Sequence, residues 1–446
     1  MTMWSTWSSP AHGVLAAALC SALAGCGSMS ATDPAPLMLY DGRPHAALHV
    51  QVTGWQDAQD MSGASVTSLK PANPTDAASK VSARRSAKDA SDDALTMTWN
   101  NAWSAGLHLV ADKPLDLRPY LGDGTLEFDI DAVDMARSGL SFAMGCEPDC
   151  GRSVGYELPS RAMHGKGWQH LSFSLQCFVR DGNDFSRITQ PFVVDSSGTG
   201  ELAVANVKLV RHGKPNASCP DYRTESVTPA PQSATWAVDW WMPRHEKKLE
   251  ELRKLKAAGL NPDLVFIGDS ITHGWEDGGA AVWKQHYAKY HALDLGFSGD
   301  RTEHVLWRLQ HGEVDAIQPK VAVLMIGTNN TGHRQEDPAT IAAGIQRIIE
   351  ELQRRLPQTK VLLLAIFPRD EQPTSRLRQL NERVNGIISG FADGRRVFFL
   401  NINAALTNAD GTLSKDVMPD LLHPNEKGYG LWAQSMEPSL KKLLSE

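Results

Sequence analysis

Ser270 closes the tripeptide Gly268-Asp269-Ser270, directly after the apolar run Leu264–Ile267 and before Ile271-Thr272-His273-Gly274-Trp275. A serine on a turn between a strand and a helix holds its hydroxyl above a sheet, beside N–H groups able to stabilise an oxyanion. Gly296-Phe297-Ser298-Gly299 follows a second apolar run, and Gly327-Thr328-Asn329-Asn330 follows a third. Glycine lets a backbone N–H approach a substrate closely, and a carboxamide supplies another donor to the charge that develops in acyl transfer. Near the end stands Asp420-Leu421-Leu422-His423. A carboxylate three residues before a histidine can reach its Nδ1–H and turn the other ring nitrogen toward a nucleophile. Each pattern alone is also ordinary turn or surface composition. Their order, at the ends of successive elements, is what favours one site suited to acyl transfer.

The elements that must position these groups are legible as well. Glu246–Ala258 carries Leu249, Leu252 and Leu255, stops at Gly259 and is followed by Asn261-Pro262, which predicts a helix. Five short apolar runs follow, Leu264–Ile267, Ala292–Leu295, Val321–Ile326, Val361–Phe367 and Val397–Leu400, each succeeded by an amphipathic segment. Continuous apolar strands alternating with helices describe a parallel sheet covered on both faces, with ligands beyond the strand C-termini.

Before Trp240 the text differs. Short β-favouring runs between Leu37 and Arg211, separated by Gly, Asp and Pro, predict a β-sandwich, with 61–94 as a long exposed loop around one strand. The organisation expected is an export segment over 1–26, a tether over 27–36, the sandwich over 37–211, a Pro- and Ser-containing linker over 212–239 and an α/β domain over 240–446. Gly13–Ala24 is too short to span a bilayer and ends in Leu23-Ala24-Gly25-Cys26, similar to a bacterial lipobox, although no Lys or Arg precedes Arg43. Cys26 is therefore expected to carry a lipid that ties an exported, periplasmic or cell-surface chain to a membrane. A plain signal peptide is the alternative. Export leaves Cys146, Cys150, Cys177 and Cys219, an even number suited to two disulfides with the pairing open; Cys146 and Cys150 lack the second pair a zinc site needs. With 44 basic and 51 acidic residues in 446, a nucleic-acid partner is excluded as a bulk electrostatic expectation.

Gly268-Asp269-Ser270, Gly299, Gly327-Thr328-Asn329 and Asp420-x-x-His423, in this order, resemble the four blocks of the SGNH (GDSL-type) hydrolases. Gly299-Asp300-Arg301-Thr302-Glu303-His304 is similar to the platelet-activating factor acetylhydrolase catalytic subunits of that superfamily. The resemblance implies a three-layer flavodoxin-like α/β domain with a five-stranded parallel sheet. It also implies Ser270 as nucleophile, His423 as base, Asp420 as its orienting partner, an oxyanion hole from Ser270, Gly299 and Asn329, and no metal or organic cofactor. Ile271 and Leu422, beside nucleophile and base in sequence, are candidates to narrow the acyl site, and Trp275 to stack on a sugar, though all three are also ordinary core residues. Asp116-Leu117-Arg118, Gly167-Trp168-Gln169-His170-Leu171 and Val204–Leu209 resemble the galactose-binding-like accessory domain of bacterial family 3 glucosidases. That domain implies a carbohydrate context, with Trp99, Trp103 and Trp168 as a candidate stacking platform. The expected activity is removal of acetyl groups from poly- or oligosaccharides. The alternatives are a lipid acetylhydrolase or lysophospholipase, and a glycan-binding lipoprotein with an inactive hydrolase domain, against which the five filled positions argue.

Overall fold

A computed structural model of the chain describes residues 35–445, apart from 46, 56, 70–72, 74–75, 148–149, 181–182, 235 and 238. The export segment, Cys26 and nearly all of the tether lie outside the described residues. Among the described residues no helix is long and apolar enough to cross a membrane.

From Leu37 to Val210 ten strands join in one hydrogen-bonded sheet, and every pairing between them is antiparallel. Three are long: Ala94–Ala111, Thr125–Cys146 and Ile188–Val210, of 18, 22 and 23 residues. The last pairs with both others. The long strands are less buried in the middle, around Asn100-Asn101 and Ser197–Thr199, and the pairing slips at Ser196/Gly198 and Gly198/Gly200. Gly198, at φ +81°, takes a conformation that costs a residue with a Cβ. These bends let one network supply both layers around a core containing Phe128, Phe142, Phe173 and Phe192, so the expected sandwich is present. The region 61–94 is a correction. It holds two strands, Ser65–Leu69 and Lys80–Ser86, paired with each other, because the alternation Lys80-Val81-Ser82-Ala83 buries Val81 and Ala83 beneath a polar composition.

The disulfides are Cys146–Cys150 and Cys177–Cys219. The first joins the paired ends of strands Thr125–Cys146 and Cys150–Gly155. The second spans 42 residues of sequence and ties the sandwich to the chain leaving it. Loop-closure entropy over such a length predicts a loss of about 2–4 kcal/mol in the double variant Cys177→Ser/Cys219→Ser, read as a lower urea midpoint against the oxidised parent.

The second half contains five parallel strands, β1 (Leu264–Gly268), β2 (Leu293–Gly296), β3 (Val321–Met325), β4 (Lys360–Leu364) and β5 (Val397–Leu400), in the order β2-β1-β3-β4-β5. Successive side chains alternate between faces: Val265 and Ile267 enter one apolar core, Leu264 and Phe266 the other. Helix α1 (Trp241–Ala257), α3 (Thr302–Gln310) and α4 (Pro338–Arg355) contribute Leu252, Val305 and Ile345 to the first core. Helix α6 (Glu426–Ser445) contributes Trp432, Met436 and Leu440 to the second. Short helix α2 (Ser270–His273) leaves the end of β1, and α5 (Arg376–Ile388) follows β4.

The segment 212–239 is not a free linker. Tyr222, Ser226, Gln232, Ala234 and Ala237 are buried, each at 6% exposure or less. Ser226 Oγ donates to Glu336 at 2.6 Å, and Thr302 Oγ1 donates to the Ser226 carbonyl at 2.9 Å. Its Pro, Ser and Thr content reads as a tether, but the polar groups find long-range partners and the small residues fit against the sheet's rim. Arg180 of the sandwich donates to the Gln335 carbonyl at 2.7 Å, and Arg376 of α5 donates to the Gly151 carbonyl at 2.9 Å, joining the two halves directly.

Candidate active site

The register of the parallel sheet brings the chemistry to one rim. Gly268, the last residue of β1, pairs with Gly296 of β2 and Met325 of β3. Ser270, Ser298 and Gly327 each lie two residues beyond those level positions, at the carboxyl edge where open α/β sheets bind ligands. Asp269 caps α2 through its Oδ1, which accepts the Ile271 N–H at 3.1 Å. It is fully buried, and burial pushes its carboxyl up to about 7.

Across that rim Ser270 Oγ is 2.8 Å from His423 Nε2. His423 Nδ1 lies 2.6 Å from Asp420 Oδ2. The other carboxylate oxygen, Oδ1, accepts the backbone N–H groups of Leu422 at 3.0 Å and His423 at 2.7 Å. Partial burial opposes the charged form of Asp420, but the hydrogen bonds and charge of His423 outweigh it, and its carboxyl is held below the ordinary value. Hydroxyl, imidazole and ionised carboxylate thus form one hydrogen-bonded series, able to draw a proton from the serine as it attacks a carbonyl carbon.

The two expected donor loops are tied together beside it. Asn329 Nδ2 donates to the Asp300 carbonyl at 2.9 Å, which orients the carboxamide and leaves its second N–H. The Asp300 side chain is fully buried, accepting Trp241 Nε1 at 2.6 Å and Arg308 Nε at 2.8 Å. Gly299 has φ +74°, and a methyl added there would overlap the Trp236 indole, so both conformation and space demand glycine. Its carbonyl accepts Gln232 Nε2 at 3.1 Å. Arg369, following β4, donates to the Thr328 carbonyl at 2.9 Å and braces the third loop.

A cavity of about 270 Å³ opens over the serine, lined by Ser270, His423, His273, Asp277 and Ser298 among others. His273 receives the Ser298 N–H on Nδ1 at 3.3 Å, with Ser298 Oγ at 2.9 Å from the same atom. Burial, reinforced by Arg244, lowers its pKa to about 4, so it is a neutral acceptor that fixes this loop.

Two of the three expected substrate contacts, Trp275 and Ile271, are placed differently. Trp275 is 1% exposed and sits among Tyr287, Tyr429 and Trp432, so it cannot stack on a sugar. Ile271 is equally buried in the same core, and Leu422 packs partly against it. The cause is helical spacing: residues one and five positions past the serine turn inward beneath it. In the sandwich, Trp99 is buried with its Nε1 donating to the Ser197 carbonyl, whereas Trp103 is 47% exposed beside Trp55. Trp99 therefore leaves the stacking platform. Sequence reasoning missed His273, Arg369 and Gln232. Arg369 was detectable as a cation just past a strand's carboxyl end; Gln232 had no local signal. Among the described residues no cluster of His, Cys, Asp and Glu is suited to a metal ion.

A family model described as GDSL-like Lipase/Acylhydrolase matches residues 266–431, and a Galactose-binding domain-like model matches 61–209. The platelet-activating factor acetylhydrolase IB subunit alpha1 of Pongo abelii is 34% identical over 207 residues, 46% of this chain and 85% of that one. The chain belongs to the GDSL-like lipase/acylhydrolase family. The alpha2 subunit of Gallus gallus is likewise 34% identical to this acylhydrolase, over 47% of this chain and 86% of that protein. Among solved structures, a carbohydrate acetylesterase of Sinorhizobium meliloti is 16% identical, covering 41% of this chain and all of its own, at TM-score 0.35. The extra C-terminal domain of an exo-1,3/1,4-beta-glucanase from a Pseudoalteromonas species is 20% identical, covering 41% of this chain and 96% of its own, at TM-score 0.32. As a GDSL-like acylhydrolase with a galactose-binding-like domain, the chain carries two of the modules its residues predict.

Proposed function

We propose that this acylhydrolase removes acetyl groups from carbohydrate esters through an acyl-enzyme on Ser270. The observation that carries the ester chemistry is the series Ser270–His423–Asp420 at 2.8 and 2.6 Å. His423 Nε2 takes the hydroxyl proton as Ser270 Oγ attacks the ester carbonyl. The oxyanion is received by the N–H groups of Ser270 and Gly299 and the free N–H of Asn329. Collapse expels the alcohol, which recovers the proton from His423, and water deacylates the serine by the same route. Asn329→Ala is expected to lower kcat about 10²- to 10³-fold with little change in KM, since the donor meets charge present mainly in the transition state.

The sugar reading is supported by the small cavity, whose polar wall of His273, Asp277 and Ser298 suits a short acyl group on a hydroxylated alcohol. The galactose-binding-like domain fused to the enzyme supports it too. Acetate release from acetylated xylan, acetylated oligosaccharides and acyl lipids tests it; release from lipid alone rejects it and favours the lipid acetylhydrolase alternative suggested by the 34%-identical relatives. Export with a lipid on Cys26 belongs to the same proposal. The two disulfides are consistent with an oxidising compartment.

A further inference from the structure

Two tryptophans stand beside the active site where the connecting segment meets the hydrolase domain. Trp236 is 41% exposed, while its neighbours Ala234, Ala237 and Trp241 are buried at 2% or less. Its ring lies 6.2 Å from that of Trp240 at an angle of 35°, and Trp240 Nε1 donates to the Trp236 carbonyl at 3.1 Å. The Trp240 ring is in turn 6.0 Å from the imidazole of His273, which lines the cavity over Ser270. On its other flank the Trp236 indole abuts Gly299, filling the space that a side chain there would need. The pair therefore forms a ledge running from the cavity wall to the glycine of the oxyanion loop.

An exposed indole beside the buried Ala234, Ala237 and Trp241 leaves a large flat apolar surface open to a ligand. We propose that Trp236 and Trp240 are a sugar subsite: a pyranose ring lays its apolar C–H face on the Trp236 indole while its acetyl ester enters the cavity at Ser270. The inference rests on the carbohydrate reading above. A pyranose suits this place because it offers one flat apolar face to the ring and a hydroxyl rim to His273 and Ser298, both polar groups of the cavity wall. A flexible acyl chain gains less, since a ledge open to water on one side encloses little of it. Stacking remote from the reacting carbon spends binding energy on holding the ester in line with Ser270. Trp236 and Trp240 are thus specificity-determining residues supplied by the connecting segment and the residue that follows it, outside the four motif blocks.

The test compares Trp236→Ala and Trp236→Phe, in the full chain, on an acetylated xylo-oligosaccharide and on ethyl acetate, which has no ring to stack. Trp236→Ala is expected to lower kcat/KM for the oligosaccharide at least about tenfold more than for ethyl acetate, chiefly through KM, and Trp236→Phe to restore much of the difference. Equal losses on both substrates would assign the ring to buttressing Gly299 alone, and no loss on the oligosaccharide would remove it from recognition. Either result overturns the subsite and leaves the carbohydrate reading standing. A parent enzyme that hydrolyses ethyl acetate but releases acetate from no acetylated sugar overturns both. Trp240→Ala, which keeps the indole at Gly299, makes the same comparison should Trp236→Ala fold poorly.

Discussion

Ser270→Ala is expected to lower kcat for ester hydrolysis about 10⁵-fold or more while leaving the thermal midpoint within a degree or two of the parent. The substitution deletes one oxygen whose partner is His423 Nε2 at 2.8 Å, on a side chain at the cavity floor rather than in a core. Alanine also favours the helix that begins there. What remains is His423 beside a water and the N–H donors of Gly299 and Asn329, which together sustain a slow hydrolysis without a covalent stage. Acetate release and the burst of leaving group in the first turnover are the measurements. A variant that keeps its burst, or loses less than about 100-fold, would reject Ser270 as the nucleophile.

Asp420→Asn carries the second large effect, a fall in kcat of about 10⁴-fold, and the geometry explains why a near-isosteric change is so costly. Oδ1 of Asp420 accepts two backbone N–H groups, so in asparagine the carboxamide oxygen must take that position. The NH2 group then faces His423 Nδ1, where a carboxylate oxygen stood at 2.6 Å. Nδ1 becomes the acceptor, Nε2 carries the proton, and the ring presents a donor to Ser270 instead of a base. Asp420→Ala imposes no tautomer and is expected to be no worse than asparagine. An Asp420→Asn enzyme within about tenfold of the parent in kcat would show that His423 is not held by this carboxylate.

The parts of this molecule that could be read from the chain are those whose signal is local. Each strand of the parallel sheet is a continuous apolar run, and the observed bounds differ from the expected ones by three residues at most, the largest gap being β4, which ends at Leu364 rather than Phe367. The motif residues sit on turns directly after those strands, so placing the strands placed Ser270 and the loops of Gly299 and Asn329. Asp420 and His423 needed only a three-residue spacing. Trp275 and Ile271 were misplaced because nearness to Ser270 in sequence stood in for nearness in space, and a single helical turn reverses the side on which they emerge. The disulfide partners, the Asp300–Arg308 pair and the contacts of Gln232 join positions with no shared local pattern. The connecting segment was misread for the same reason: its composition matches a tether, and only partners far away in sequence, Glu336, Thr302 and Gly299 on the hydrolase domain and Gly155 and Arg161 on the sandwich, give it a conformation.

That segment bears on heredity as well as on chemistry. Domain boundaries fall where few contacts cross, so a recombination joint is best tolerated there. Here the seam does not fall at Trp241, where the first long helix begins, because Gln232 and Trp236 upstream of it are seated on the oxyanion loop. A cut at Asp221 keeps the buried Tyr222 and Ser226 with the hydrolase, although Tyr222 Oη also accepts the Gly155 N–H of the sandwich at 3.0 Å. A descendant that inherited the hydrolase from α1 onward would keep every motif residue and lose the neighbours that hold Gly299, whereas one that inherited it from Asp221 would keep those neighbours and lose the sandwich partners of Gln335, Arg376, Tyr222 and Ser233.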